Sequence, residues 1–331
     1  MKRDDFIGAS ISTRIYEDDL VKDFYRLNEL DSLSEIMNAL SDSSYGRYIQ
    51  ELRRPEEYEE ILSKELVRVY DKIEDITPDK NLTDYLREKY NFHNLKVLAK
   101  EIIQEEDYKY SPMGNIDVDY LKRQILKTDE KDIFEDEEDN IYLSYLKRAI
   151  DAYEDRKDPA MIDISLDKSY YERELDIANA TGMDSLITYT KEAIDLINVK
   201  TLLRVRDLDQ LGDALIDGGF IDKDRFLEMY KLDMTGLLIK MSNDKIYPYL
   251  SKALDNDKGE VENLLNLEKA IDDHFMDFAK KAKAVTYGPE VLLAYLISKE
   301  QEIKNLRIIF ISKLNGLSKE FTKDRLREAY V

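Results

Sequence analysis

The chain has 331 residues, no Cys and no Trp, and 71 acidic side chains against 50 basic ones, a formal charge of −21. That length is about twice the usual ~150 residues per domain and implies two or three domains, and 43% hydrophobic against 37% charged residues implies folding rather than disorder. The acidity withholds the basic footprint that nucleic acid needs and opposes docking on anionic lipid, while the missing Cys excludes disulfides, zinc-thiolate sites and thiol nucleophiles and points to a reducing, cytoplasmic setting.

From the N-terminus, Met1-Lys2-Arg3-Asp4-Asp5 puts acids where a signal peptide would begin its apolar core. Eleven Gly and six Pro are sparse punctuation, so long helices are expected, with breaks at Pro55, Pro78, Ser111-Pro112-Met113-Gly114, Pro159, Gly218-Gly219 and Gly288-Pro289. Leu186, Tyr189, Ala193, Leu196, Val199 and Leu203 recur at helical spacing. From Pro289 to Leu314 the apolar positions Leu292, Leu296, Ile303, Leu306 and Phe310 do the same, with Lys and Glu between them. The charge-free stretch Val291 to Ser298 falls far short of the ~20 apolar residues that span a bilayer. No alternating strand pattern competes, and the expected class is all-α.

A repeat runs through these helices. Asn94-Leu95-Lys96-Val97-Leu98, Asn198-Val199-Lys200-Thr201-Leu202 and Asn305-Leu306-Arg307-Ile308-Ile309 lie 104 and 107 residues apart. A tyrosine word precedes each: Tyr45-Gly46-Arg47-Tyr48-Ile49, Tyr142-Leu143-Ser144-Tyr145-Leu146 and Tyr247-Pro248-Tyr249-Leu250, at intervals of 97 and 105. Leu30-Asp31 and Leu232-Asp233 keep the offset of 202 that separates Tyr45 from Tyr247. The repeat places three units near 1–110, 111–217 and 218–331.

Asn is a mediocre helix former, so its return in three helices calls for a contact. The residues at +3 and +4, on its own face, are largely apolar, which points Asn94, Asn198 and Asn305 into the core, where the amide can satisfy backbone groups of a neighbouring segment. The basic residue at +2 is rotated by roughly 200° and should face outward.

Catalysis finds no candidate residues. Neither His93 nor His274 has Glu three residues before it, so the Glu-x-x-His di-metal signature is missing. Neither GxxxxGK[ST] nor GxGxxG occurs, hence no phosphate cradle of either kind. Asp255-Asn256-Asp257-Lys258-Gly259-Glu260 imitates the start of a calcium loop but carries Glu where the turn Gly belongs, and reads as a helix-flanking loop. Asp272-Asp273-His274-Phe275-Met276-Asp277 superficially resembles the Mg-binding helices of all-α prenyl-transfer enzymes, yet the second such motif is lacking and Ile271, Phe275 and Phe278 form an ordinary apolar stripe. The acidic run Glu135-Asp136-Glu137-Glu138-Asp139-Asn140 reads as a solvated edge.

The C-terminal run Tyr287-Gly288-Pro289-Glu290-Val291-Leu292-Leu293-Ala294-Tyr295-Leu296, followed by Lys299-Glu300, Glu302 to Ile309 and Lys313-Leu314-Asn315-Gly316-Leu317, resembles the C subunits of the archaeal and bacterial V/A-type rotary ATPases, whose eukaryotic counterparts are the d subunits. Asp167-Lys168-Ser169-Tyr170-Tyr171, Ile194 to Lys200 and Arg204-Val205-Arg206 resemble the same family, and at the N-terminus Arg14, Glu17 and Leu20 do. The resemblance implies a funnel of three similar helical domains around a pseudo-threefold axis, without active site, metal or cofactor. It implies a rotor part seated on the membrane proteolipid ring, receiving the D and F subunits of the central stalk, and transmitting torque for H+ or Na+ transport. Such a part sits on the cytoplasmic face without nucleic acid or a lipid anchor of its own. On this reading Lys96, Lys100, Lys200, Arg204 and Arg307 are the candidate contacts to an acidic stalk foot, and an acidic funnel bottom meets basic loops of the ring. A generic cytosolic helical-repeat scaffold is the alternative.

Overall fold

Sparse Gly and Pro leave little to interrupt helix propagation, and tertiary burial of one face supplies the stability that isolated helices lack. The computed structural model describes residues 2–104, 108–126, 137–205, 207–255 and 257–330, with the side chains of 137–140 outside that description. Among the described residues every regular element is helical, and eight α-helices reach ten residues: α1 (Ile7–Tyr16), α2 (Tyr58–Glu74), α3 (Lys80–Gln104), α4 (Glu137–Arg156), α5 (Ala160–Thr181), α6 (Asp184–Arg204), α7 (Glu260–Lys281) and α8 (Pro289–Leu314). None of them is long and apolar enough to cross a membrane.

The expected breaks coincide with helix boundaries. Pro55 opens a short 3-10 turn, Pro159 immediately precedes α5, and Pro289 is the first residue of α8, where its missing N–H has no helical partner to lose. Gly288 before it sits at φ 142°, and its N–H is held by the Ser10 hydroxyl at 3.0 Å. A Cβ there would also press on Arg3 and Glu290. Asp207, Asp233 and Ser318 cap shorter helices by accepting the backbone N–H three residues on.

The chain forms two compact units, one of Met1–Thr83 with Tyr249–Val331, the other of Asp84–Pro248. In the first, α8 packs against α1, α2 and α7. Neighbours on several sides bury it nearly all round, as befits a helix without a polar face. The Lys and Glu between its apolar positions are therefore not all solvated: Lys299 is fully buried and Glu302 is 3% exposed. In the second unit α5 packs between α4 and α6. Phe92 of α3 meets Tyr142 and Tyr145 of α4 and Tyr170 of α5, with ring centroids 6.3, 5.3 and 5.6 Å away.

Candidate functional site

The repeated asparagines occupy buried positions, at 3, 0 and 0% exposure for Asn94, Asn198 and Asn305. Each closes the same two-point bond on a later residue. Asn94 donates from Nδ2 to the Ser111 carbonyl at 3.0 Å and accepts the Ser111 N–H on Oδ1 at 2.8 Å. Asn198 grips Ile216 at 2.8 and 2.9 Å, and Asn305 grips Arg327 at 3.1 and 2.8 Å. A side-chain amide carries an acceptor oxygen and a donor nitrogen in one rigid plane, so it can take both backbone groups of one residue where a carboxylate, which only accepts, cannot. Ile216 is buried, where its polar backbone groups would otherwise go unpaired, and Ser111 and Arg327 are half-buried.

In α3 and α6 a second side chain, three residues earlier on the same face, extends the grip. Asn91 accepts the Asn115 N–H at 2.9 Å, and Asp195 accepts the N–H groups of Phe220 and Ile221 at 3.1 Å each. The five-residue turns 111–115 and 216–220 are thus stapled at both ends, 105 residues apart. Each carries Gly at its fourth position. A Cβ on Gly114 would stand 2.5 Å from Asn94 Nδ2, and one on Gly219 2.1 Å from Asp195 Oδ1, so the backbone closes directly onto the stapling side chains. Burial pushes the Asp195 carboxyl up to about 7, the two N–H groups opposing that rise and Asp244 and Glu192 adding to it. Asn91 also donates to the Tyr142 hydroxyl at 3.2 Å, which in turn donates to Glu88 at 2.6 Å.

Sequence reasoning missed the second grip, because Asn91 and Asp195 differ in type. The signal was present in the spacing, since both stand three residues before the repeated Asn and both precede a Gly by 23 or 24 residues. The third repeat departs from the pattern. Glu302 holds the place three residues before Asn305, but turns to the Val21 N–H at 2.6 Å, the Tyr45 hydroxyl at 2.6 Å and Lys299 at 2.7 Å. Lys299 also faces Glu65 at 3.4 Å, and Glu65 binds Arg68 through two bonds. Burial raises the Glu302 carboxyl above its usual range against the opposing pull of Lys299. Burial acts the same way on Glu65, but Arg68 and Lys299 outweigh it and hold that carboxyl low.

The candidate partner-binding cations are spread over three helices. Lys96 and Lys100 of α3 pair with Asp167 at 2.6 Å and Asp163 at 3.3 Å on α5. Arg307 of α8 takes Glu59 of α2. Lys200 is half-buried and Arg204, at the end of α6, is exposed. The motifs weighed for metal chemistry are occupied by protein. Asp272 receives Lys304 at 2.6 Å and Arg327 at 2.8 Å, and the Asp273 carboxylate accepts the Glu328 N–H at 3.3 Å. Asn263 closes the Asp255 loop by gripping both backbone groups of Asp255 at 2.9 Å. Arg206, Asn256 and the side chains of the acidic run Glu135 to Asn140 lie outside the described residues. Among the described residues no group of His, Asp and Glu is arranged to hold a metal ion.

A family model described as ATP synthase (C/AC39) subunit matches residues 17–325. The C subunit of the V-type sodium ATPase of Enterococcus hirae is 27% identical over 314 residues, covering 93% of both chains. The C subunit of the A-type ATP synthase of Methanocaldococcus jannaschii is 25% identical over 318 residues, covering 89% of this chain and 79% of its own. That of Thermoplasma volcanium is 25% identical over 354 residues, covering 96% and 97%. The matched span takes in the stapled turns, the paired-amide grips of Asn94 and Asn198 and the buried ion cluster of α8, and the chain belongs to the ATP synthase (C/AC39) subunit family of the V- and A-type rotary ATPases.

Proposed function

We propose that the chain is a non-catalytic rotor part that links the D and F subunits of the central stalk to the membrane proteolipid ring and carries torque between them on the cytoplasmic face, without a cofactor of its own. The family match over nearly the whole chain is the observation that carries this reading. Physical features support it. From α2 to α8 no long helix contains an internal Gly or Pro, so none has a built-in hinge. The turns after α3 and α6 are bound back to their own helices by side chains rather than left free.

We propose a threefold sequence repeat with units near 1–110, 111–217 and 218–331, a reading that the recurring amide grip of Asn94, Asn198 and Asn305 supports. For the stalk contact we propose the basic side of each asparagine helix taken separately. Arg204 is open for a first encounter and Lys200 lies one turn before it. Lys96, Lys100 and Arg307 would exchange Asp167, Asp163 and Glu59 for carboxylates of the partner.

Co-purification tests the proposal. The full chain, tagged and isolated from detergent-solubilised membranes, should bring down the two stalk proteins and the proteolipid in fixed stoichiometry. Lys200→Glu with Arg204→Glu should lower recovery of the stalk pair while leaving proteolipid. A chain recovered without these partners from membranes that hold the assembled ATPase overturns the reading.

A further inference from the structure

Glu302 departs from the other two staples only in where its backbone partner lies in the sequence. Asn91, Asp195 and Glu302 each stand three residues before a gripping Asn, and each accepts a main-chain N–H, from Asn115 at 2.9 Å, Phe220 at 3.1 Å and Val21 at 2.6 Å. Two residues after each of these N–H groups comes an Asp, at 117, 222 and 23, and directly after that Asp a short helix begins: Val118–Leu126, Lys223–Met229 and Phe24–Glu29. Asp117 and Asp23 accept the N–H three residues on, from Tyr120 at 2.8 Å and Arg26 at 2.9 Å. Six residues after each gripped N–H the side chain is buried, Leu121, Phe226 and Leu27. Val21 therefore holds the last place of a stapled turn whose first place is Arg327, gripped by Asn305, and the two come from opposite ends of the sequence. All the residues of this third staple belong to the unit of Met1–Thr83 with Tyr249–Val331.

The division alters what the joint can do. In the turns 111–115 and 216–220 a residue that slips one grip stays tethered to the other by a few residues of chain, which return it quickly. No such stretch connects Arg327 to Val21. Side chains hold each part in place of the missing chain: Arg327 reaches Asp272 at 2.8 Å, the Tyr330 hydroxyl donates to Glu17 at 3.0 Å and accepts from Arg14 at 3.2 Å, and the Tyr45 hydroxyl donates to Glu302 at 2.6 Å. In the continuous turns a Gly brings the backbone directly onto the stapling side chain. In the divided one a crevice of about 200 Å³ remains, lined by Leu20 and Val21 from one part, Ala329 and Tyr330 from the other, and Gln301 and Glu302 of α8. The Nε2 of Gln301 is buried without a hydrogen-bond partner, so this joint is not packed shut. The two parts share the burial of one crevice, and each loses cover when the other leaves.

We propose that α8 is a clasp on a divided third staple, and that this joint is where the fold opens locally, the segments 20–24 and 326–330 leaving α8 together while the continuous turns stay closed. The proposal goes beyond the rotor reading and stands or falls without it.

Hydrogen exchange of the full chain, read by mass spectrometry, tests it. Asn305→Ala removes the grip on Arg327 and no bond to Val21, yet exchange should quicken in peptides covering both 20–24 and 326–330 by roughly tenfold, the factor that about 1.4 kcal/mol gives, with 216–221 unchanged. Val21→Cys with Ala329→Cys, bridged by a short bis-maleimide in a chain that has no other Cys, supplies the missing connection and should slow exchange in both segments by a similar factor. The bridged protein is compared with its own unbridged form, so this arm decides the matter even where Asn305→Ala does not fold. Exchange that quickens in 326–330 alone overturns the proposal. So does a bridge that slows neither segment, and so do two thiols that each take a reagent molecule without being joined.

Discussion

Asn198 of α6 holds Ile216, eighteen residues later, by both of its backbone groups, donating to the carbonyl and accepting the N–H within 2.9 Å. Both residues are buried, so no water stands ready to replace the amide. Removing it by Asn198→Ala leaves two backbone groups unpaired at about 1–3 kcal/mol each. The expected loss is roughly 2–4 kcal/mol in urea unfolding. Asn198→Asp should not rescue it, because a carboxylate cannot donate to the Ile216 carbonyl. A loss below about half a kcal/mol, the range of ordinary surface substitutions, refutes the assignment.

Asp195 predicts a pH dependence of definite sign. Its folded pKa of about 7 lies above the ordinary carboxylate value near 3.9. Between those limits the folded state holds a proton that the unfolded chain has released, so stability falls as pH rises toward 7 and levels off above it. Each unit of separation corresponds to about 1.4 kcal/mol. Asp195→Asn should remove this slope while keeping the turn, since Asn91 performs the corresponding task in the first turn with an amide. Chemical denaturation of both proteins from pH 5 to 8 gives the comparison, and the difference between them isolates Asp195 from other buried carboxyls. Parallel curves would mean that the group does not titrate there.

The buried cluster on α8 predicts strong coupling. Lys299 is the cation between Glu302 at 2.7 Å and Glu65 at 3.4 Å, with no exposure to water. Lys299→Met leaves the buried Glu302 without its cation and Glu65 with Arg68 alone, and should cost about 3–5 kcal/mol. The triple change Lys299→Met, Glu302→Gln, Glu65→Gln removes the charges together and should be less harmful than the sum of its parts. Calorimetry of the single and combined variants reads this directly. Additive losses would show that the charges act independently.

Two glycines separate steric need from helix propensity. Gly219→Ala drives a methyl against Asp195 and should destabilise by about 1–3 kcal/mol. Gly212, in the short helix Leu208–Ala214, has open space around the added carbon, and Gly212→Ala should stabilise by up to about 1 kcal/mol. Thermal melts of the two variants should shift in opposite directions.

Particular residues explain how far the sequence could be read. The helix Pro289–Leu314 and its starting proline were legible because apolar spacing and the Gly-Pro pair act locally. The burial of Lys299 was not, since a pattern marks which face is apolar but not how many neighbours surround a helix. The asparagine word announced a contact without naming its partner, because Ser111, Ile216 and Arg327 share no residue type and are gripped through backbone atoms common to all. The pairing of Lys96 with Asp167 and of Arg307 with Glu59 depends on which helices lie side by side, which spacing along one helix does not encode.

A side chain joined to a backbone by one hydrogen bond leaves a swivel, because the held residue can turn about the bond axis without breaking it. The amides of Asn94, Asn198 and Asn305 each make two bonds to a single residue, and two bonds side by side leave no axis to turn about. To rotate the held segment against its helix, both must rupture in the same event. These joints therefore answer a slow twist and a sudden one alike, with no slack to be taken up before the load is carried.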